Sequence, residues 1–214
     1  MNWKTEAVTR GCQETAEALR SFPWLKEFYL AGGTALALRY GHRISVDLDF
    51  FSSSNDLRFT GRERLLEGFQ AIGALVEEQK DGTVHARYQK THISFFRYRY
   101  PLLRPLTLWN GIHVAGPLDI GLMKIGAIMG RGSRKDFVDL YFILKEASTL
   151  PQLLRLAHKK FSTGEQWVLL ACRALVYFED ADREPPLKMT SNVSWPEVKR
   201  FFETEVRKRV QRLR

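Results

Sequence analysis

Cysteine is scarce: the 214-residue chain has two, Cys12 and Cys172. Thiols so far apart give neither a zinc-ligand spacing nor a disulfide framework, and a reducing compartment follows as the simple expectation. No apolar run reaches the roughly 20 residues that span a bilayer, so no membrane partner is expected. The opening Met1-Asn2-Trp3-Lys4-Thr5-Glu6 does not read as an export signal. No segment repeats. Acids are the minority, 24 against 33 Lys and Arg, for a net charge of +9. That excess favours polyanions such as RNA or nucleotide phosphates, but it sets no fold. The expectation is a cytoplasmic protein with one main domain of two lobes, long enough to bury a core.

The chemistry concentrates in two adjacent stretches. Phe28 to Ala31 reads as a strand running into Gly32-Gly33, and Thr34 to Tyr40 as a short helix. Glycines let backbone N–H groups close on a phosphate, and a helix N-terminus adds a favourable field for an anion. Next comes Arg43-Ile44-Ser45-Val46-Asp47-Leu48-Asp49-Phe50-Phe51. Val46 to Phe51 reads as a buried strand, with Val46, Leu48 and Phe50 toward the core. Residues i and i+2 of a strand face the same way, so Asp47 and Asp49 point together. Two such carboxylates repel unless a cation lies between them, and Mg²⁺ held by a few carboxylates and substrate phosphates fits. His42, beside Arg43, reads as a solvated loop histidine. Either motif alone is weak; a phosphate turn followed by Asp-x-Asp is much stronger.

Around these motifs, Glu6 to Arg20 has helical spacing with Ala7, Cys12, Ala16 and Leu19 inward, ended by Pro23. Ser52 to Asp56 reads as a polar loop and Thr60 to Ile72 as a helix with Leu65, Leu66 and Phe69 inward. Strands are expected at Ala74–Glu78, Thr83–Gln89 and His92–Arg99, with Asp81-Gly82 as the first hairpin turn. A short strand at Ile112–Ala115 precedes Gly116-Pro117. From Leu118 the pattern turns helical: Leu118–Met129, Asp136–Ala147, Pro151–Lys159, Glu165–Tyr177 and Pro196–Arg214, with Gly130 to Arg134 between the first two. The chain thus reads as α+β, an α/β lobe over 1–116 and a helical lobe over 117–214. The run from Arg207 to Arg214 is either a solvated helix end or an RNA contact.

A third cluster lies in the helical half. Lys124 interrupts an apolar helix, where a lysine must reach water or meet an anion. Asp119 or the carboxylates of the first lobe are the acids expected to face it. Asp136 and Asp139 are a helical turn apart and share a face. Taken alone, Asp136 reads as a cap or a partner for Arg131, and Asp139 as an ion-pair partner for Lys135 or Arg134.

Together, Gly32-Gly33-Thr34, Arg43-x-Ser45-x-Asp47-x-Asp49, Lys124 with Arg131, and Lys135-Asp136-x-x-Asp139-Leu140 resemble the AbiEii/AbiGii toxin family. That family belongs to the nucleotidyltransferase superfamily of the DNA polymerase β type. Tyr177 to Asp182, with Pro185-Pro186, is similar to the family's final motif. The resemblance runs from about Phe28 to Met189. It implies a nucleotidyltransferase core with a small mixed sheet and flanking helices, and a helical lobe that completes the active site. It also implies a toxin of a bacterial toxin–antitoxin or abortive-infection phage-defence system, with an antitoxin encoded nearby.

The implied reaction is attack by an acceptor hydroxyl, of RNA such as tRNA, on the α-phosphate of a nucleoside triphosphate. Asp47 and Asp49 would hold Mg²⁺ or Mn²⁺. Gly32, Gly33, Thr34 and Lys124 would bind the triphosphate, with Arg43, Ser45, Arg131, Asp139 and Asp180 as further nucleotide-binding positions. Asp136 is the candidate proton acceptor or supplementary carboxylate. Polymerase-like relatives carry a third metal-binding carboxylate on a later strand, yet His92-Ile93-Ser94-Phe95-Phe96 offers Ser94 and no acid. Asp136 or Asp180 could substitute in part; if neither does, metal binding is weaker or the base function lies elsewhere. Two other functions share the fold: a non-catalytic nucleotide-binding module, and an enzyme that nucleotidylates a protein hydroxyl.

Overall fold

The computed structural model describes residues 2–211. The chain forms two compact units, Met1–Pro101 with Pro105–Gly116, and Leu102–Arg104 with Pro117–Arg214.

The first unit is built on a seven-stranded mixed sheet. Its strands are β1 (Tyr29–Leu30), β2 (Leu48–Ser52), β3 (Leu75–Lys80), β4 (Thr83–Tyr88), β5 (Thr91–Arg97), β6 (Thr107–Trp109) and β7 (Ile112–Val114). They lie in the order β3-β4-β5-β2-β1-β7-β6. Helices α1 (Arg10–Arg20), α2 (Gly32–Tyr40) and α3 (Phe59–Ile72) complete the unit. β2 runs parallel to β5 and antiparallel to β1, which puts the Asp-x-Asp segment in the middle of the sheet. One face of the sheet is core. There Phe50 stacks on Phe95 at 4.9 Å, and Phe28 meets Phe95 edge-on at 4.9 Å. Trp24 and Phe69 close over the same ring. Alternation follows from the pleat: Leu48, Phe50 and Ser52 are buried, whereas Asp49 and Phe51 are half-buried on the other face.

The second unit is helical: α4 (Pro117–Arg131), α5 (Arg134–Glu146), α6 (Leu150–Phe161), α7 (Glu165–Ala174), α8 (Glu179–Arg183) and α9 (Trp195–Gln211). Phe137 on α5 packs against Phe178, Trp195 and Phe202. Tyr141 donates to Glu197 on α9 at 2.7 Å, and burial with that carboxylate pushes its phenol up to about 12. Lys160 and Asp119 form an ion pair at 2.7 Å, both side chains fully shut off from solvent. The Asp119 carboxylate also accepts from the backbone N–H groups of Leu103 and Arg104.

Several expectations are corrected. The first helix begins at Arg10, capped by Thr9, because residues 5–7 form a separate 3₁₀ turn and Val8 bridges to Ser45. The second strand starts at Leu48, and Val46 is 51% exposed instead of core. In the polar loop after β2, Ser53 and Ser54 are exposed, while Ser52 and Asn55 are buried and tied by Asn55 N–H to Ser52 Oγ at 2.9 Å. α4 continues through Arg131, leaving only Gly132 and Ser133 before α5. Gly132 takes φ +58, a left-handed turn that a side chain would resist. β6 and α8 were not expected. α7 stops at Ala174, short of Tyr177. Arg212 to Arg214, the end of the expected basic run, lie outside the described residues.

Candidate functional site

Helix α2 begins one residue after β1, at Gly32. Its N-cap position is Ala31, whose side chain can accept nothing, so no side chain caps the first-turn amides. Gly32 has φ +66, and a Cβ there would stand 3.1 Å from Asp49 Oδ2. A Cβ on Gly33 would stand 2.2 Å from Arg43 Nη2. Gly32 thus carries a left-handed backbone close to Asp49, and a side chain at Gly33 would displace the Arg43 guanidinium. Arg43 is only 6% exposed, with Nη1 donating to the Ile44 carbonyl at 3.3 Å.

Thr34 is buried and ties helix to strand. Its hydroxyl bonds the Ser45 hydroxyl at 2.8 Å and donates to the Asp47 carbonyl. Ala31 N–H donates to the Asp49 carbonyl at 3.0 Å. These bonds fix the distance between the amides of α2 and the two acids. Asp47 and Asp49 are both half-buried, and the residues that flank Asp49, Leu48 and Phe50, are fully buried. The pair thus faces away from the aromatic core. Burial pushes the Cys12 thiol up, hydrogen bonds to Thr9 and Thr91 oppose this, and the charges of Asp47 and Asp49 reinforce it. Cys12 is thereby a protonated core residue beside the acids and no nucleophile. His42 is corrected from a solvated residue to a buried one, 1% exposed, with its ring 6.3 Å from that of Tyr40.

The register places Ser94 of β5 directly beside Asp49. Two carboxylates are hard oxygen donors, matching Mg²⁺ held by one or two carboxylates with substrate phosphates. Among the described residues no group of three or more His, Cys, Asp and Glu is arranged to hold a metal ion. The in-register neighbour that could supply a third acid is Ser94.

The second unit gathers the third cluster. Lys124 Nζ lies 2.8 Å from Asp136 Oδ1 and 2.6 Å from Asp139 Oδ2. Arg131 grips Asp136 with Nε at 2.8 Å and Nη2 at 3.2 Å. The expectation that Asp119 or the first-lobe carboxylates face Lys124 is corrected: Asp119 pairs with Lys160, and Lys124 is held by the acids of α5. Asp139 likewise pairs with Lys124 and not with Lys135 or Arg134, since the Arg134 guanidinium turns to the Ala181 carbonyl. Burial would raise the pKa of Asp136, but Lys124 and Arg131 outweigh it and hold the carboxyl below its ordinary value. A carboxylate so stabilised is a weak proton acceptor. The side chains of Asp136 and Asp139 are fully buried, whereas that of Arg131 is 60% exposed. Asp180, exposed on α8, lies 3.7 Å from where a Cβ on Gly132 would stand. One residue of this region had no signal that singled it out: Glu184, whose carboxylate accepts from Ser133 Oγ and Arg134 N–H and so caps α5.

Comparison with known proteins agrees with this arrangement. The family described as nucleotidyl transferase AbiEii toxin, type IV TA system, matches residues 17–213. An uncharacterized protein of Aquifex aeolicus is 38% identical over 199 residues, covering 91% of this chain and 94% of that one. Among solved structures, MenT4, a nucleotidyltransferase toxin from Mycobacterium tuberculosis, superimposes with a TM-score of 0.51 at 18% identity, over 92% of this chain and 81% of that one. The antibiotic-resistance factor ANT(2'')-Ia gives a TM-score of 0.51 at 13% identity, over 73% and 95%. The motifs that carry the resemblance all lie within the matched residues, and the chain belongs to the AbiEii family of nucleotidyltransferase toxins.

Proposed function

We propose that the chain transfers a nucleoside monophosphate from a nucleoside triphosphate to an acceptor hydroxyl on RNA, in a Mg²⁺-dependent reaction. The observation that carries this reading is the junction of β1, α2 and β2. An uncapped helix N-terminus, a guanidinium against Gly33 and two half-buried carboxylates meet there. Amides and Arg43 suit phosphate oxygens. Asp47 and Asp49 would hold Mg²⁺, which supplies charge neutralisation on the triphosphate when bound.

The acceptor oxygen bonds to the α-phosphorus, the bond to the β-phosphate oxygen breaks, and pyrophosphate leaves. The work of the protein is alignment and charge stabilisation. Gly32 and Gly33 permit close approach of the phosphates. Thr34 and Ser45, both buried, keep α2 and the acids in register. In the second unit, the exposed Arg131 guanidinium suits an anionic group, with Asp136 orienting it and Lys124 and Asp139 locking Asp136. A toxin acting this way would need a cognate antitoxin. The net charge of +9 supports an RNA acceptor over a protein one. No helix among the described residues is long and apolar enough to cross a membrane.

The test is incubation of the full chain with each nucleoside triphosphate, labelled at the α-phosphate, with total RNA and Mg²⁺. Label in RNA supports the reading. Label on added protein would move the acceptor to a protein hydroxyl, and no label on either would overturn transfer.

A further inference from the structure

The register that sets Ser94 beside Asp49 continues outward across the sheet. Ser94 pairs with His85 on β4, and His85 pairs with Glu78 on β3. Paired residues share a face, so Asp49, Ser94, His85 and Glu78 form one polar row on the face opposite the aromatic core. Along β4 the neighbours Val84 and Ala86 are fully buried, while His85 is part-exposed. His85 Nδ1 lies 3.1 Å from Ser94 Oγ, and its Nε2 lies 4.0 Å from Glu78 Oε2. The Phe96 ring stands edge-on to the imidazole, 5.6 Å away.

We propose that Ser94 and His85 act as the proton-accepting pair for the acceptor hydroxyl; this rests on the transferase reading above. With its proton on Nε2, the nitrogen nearer Glu78, the neutral ring has its Nδ1 lone pair placed to accept from the Ser94 hydroxyl. As the acceptor oxygen bonds to the α-phosphorus and pyrophosphate departs, its proton passes to Ser94 Oγ while the Ser94 proton passes to His85 Nδ1. The imidazolium so formed sits between Ser94 and Glu78, and solvent discharges it afterwards. A base oriented by an acid and acting through a hydroxyl follows the logic of activated nucleophiles in general.

The other charged groups near His85 are placed by the same register. Asp49 lies beyond Ser94 on β2, and Lys80 is paired to Glu78 on β3. Arg87, two residues along β4, is engaged with Glu77 at 2.7 Å. His92, two residues before Ser94, also meets Glu77, at 3.2 Å.

The experiment has two arms on the full chain. In the first, labelled-nucleotide transfer is followed across pH for the unsubstituted protein, His85→Gln, Ser94→Ala and Glu78→Gln. Base catalysis is worth about 10²–10⁴-fold, so His85→Gln should lower turnover at least 100-fold and erase the acidic limb of the pH profile. Ser94→Ala should act alike, and Glu78→Gln should lose less. Nucleotide affinity should stay within twofold in all three. The second arm needs no activity: two-bond ¹H–¹⁵N spectra of histidine-labelled protein should show His85 as the Nε2–H tautomer, with its signals moved by Ser94→Ala. An Nδ1–H tautomer overturns the inference. So does transfer by His85→Gln within threefold of the unsubstituted protein with the acidic limb intact. Absence of transfer by the unsubstituted protein overturns the transferase reading itself and takes the pair's role with it.

Discussion

Lys124 Nζ lies 2.6 Å from Asp139 Oδ2, and the same ammonium meets Asp136 at 2.8 Å, with both carboxylates closed to solvent. The second unit therefore holds one buried cation between two buried anions, with Arg131 supplying the second positive charge. Removing one partner of a buried pair leaves an uncompensated charge and costs about 3–5 kcal/mol. Lys124→Met takes the shared cation from Asp139 and Asp136, but Asp136 keeps the Arg131 guanidinium, so the loss should fall within that range. Lys124→Met with Asp139→Asn should recover part of the loss, because one stranded charge is gone. Denaturant unfolding of both variants measures this; an effect below about 1 kcal/mol for Lys124→Met would mean that the lysine carries no structural charge balance.

The same cluster sets an acid limit. Asp136 has a folded-state pKa below its ordinary value of 3.8. Its stabilising contribution is present at pH above that ordinary value and is lost as pH falls through the lowered one. Asp136→Asn should lower stability at neutral pH and flatten the acid limb of the stability profile. Unfolding midpoints from pH 7 down to about pH 2 would check it; parallel profiles for the two proteins would remove the linkage.

Gly33 and Gly32 respond to substitution for different reasons. Alanine at Gly33 meets Arg43 Nη2 at 2.2 Å, so the buried guanidinium must move. Overpacking of this kind costs about 1–3 kcal/mol. Alanine at Gly32 must adopt φ +66, a left-handed backbone that costs an L-residue about 1–2 kcal/mol, and it crowds Asp49. Both variants should fold with modest loss yet bind nucleotide at least tenfold more weakly. Calorimetric titration with Mg-nucleotide, set beside thermal unfolding, separates the two effects.

Much of this site could be read from the chain because its signals are local. Gly32-Gly33, the alternation around Asp49 and the i, i+3 spacing of Asp136 and Asp139 each follow from a few neighbouring residues. What escaped depends on distant partners. Lys124 was placed in an apolar helix, but which acid met it depended on how α4 packs on α5. Lys160 and Asp119 are 41 positions apart and carry no local sign of their pairing. His42 looks solvated beside Arg43 and Gly41, yet it is buried, with its ring 6.3 Å from that of Tyr40. The β6–β7 hairpin was half legible: Asn110 and Gly111, both at positive φ, make its turn, but three-residue strands are too short to show alternation. The polar row from Asp49 to Glu78 needed the strand register.

RNA binding should depend on salt far more steeply than nucleotide binding. Each phosphate neutralised by Lys or Arg adds a slope of about −0.7 for a single strand. Removing residues 207–214, which hold Arg207, Lys208, Arg209, Arg212 and Arg214, should flatten that dependence. Filter binding across a salt series gives both curves, and superimposable curves would end the claim that the tail contacts RNA.

The central claim is that Asp47 and Asp49 hold the metal at which nucleotide transfer occurs. The most direct measurement is transfer of α-labelled nucleotide to RNA by the unsubstituted chain and by the double variant Asp47→Ala, Asp49→Ala, with thermal unfolding of each recorded alongside. The double variant should remain folded while transferring no detectable label. A double variant that is folded and still transfers label would contradict the account.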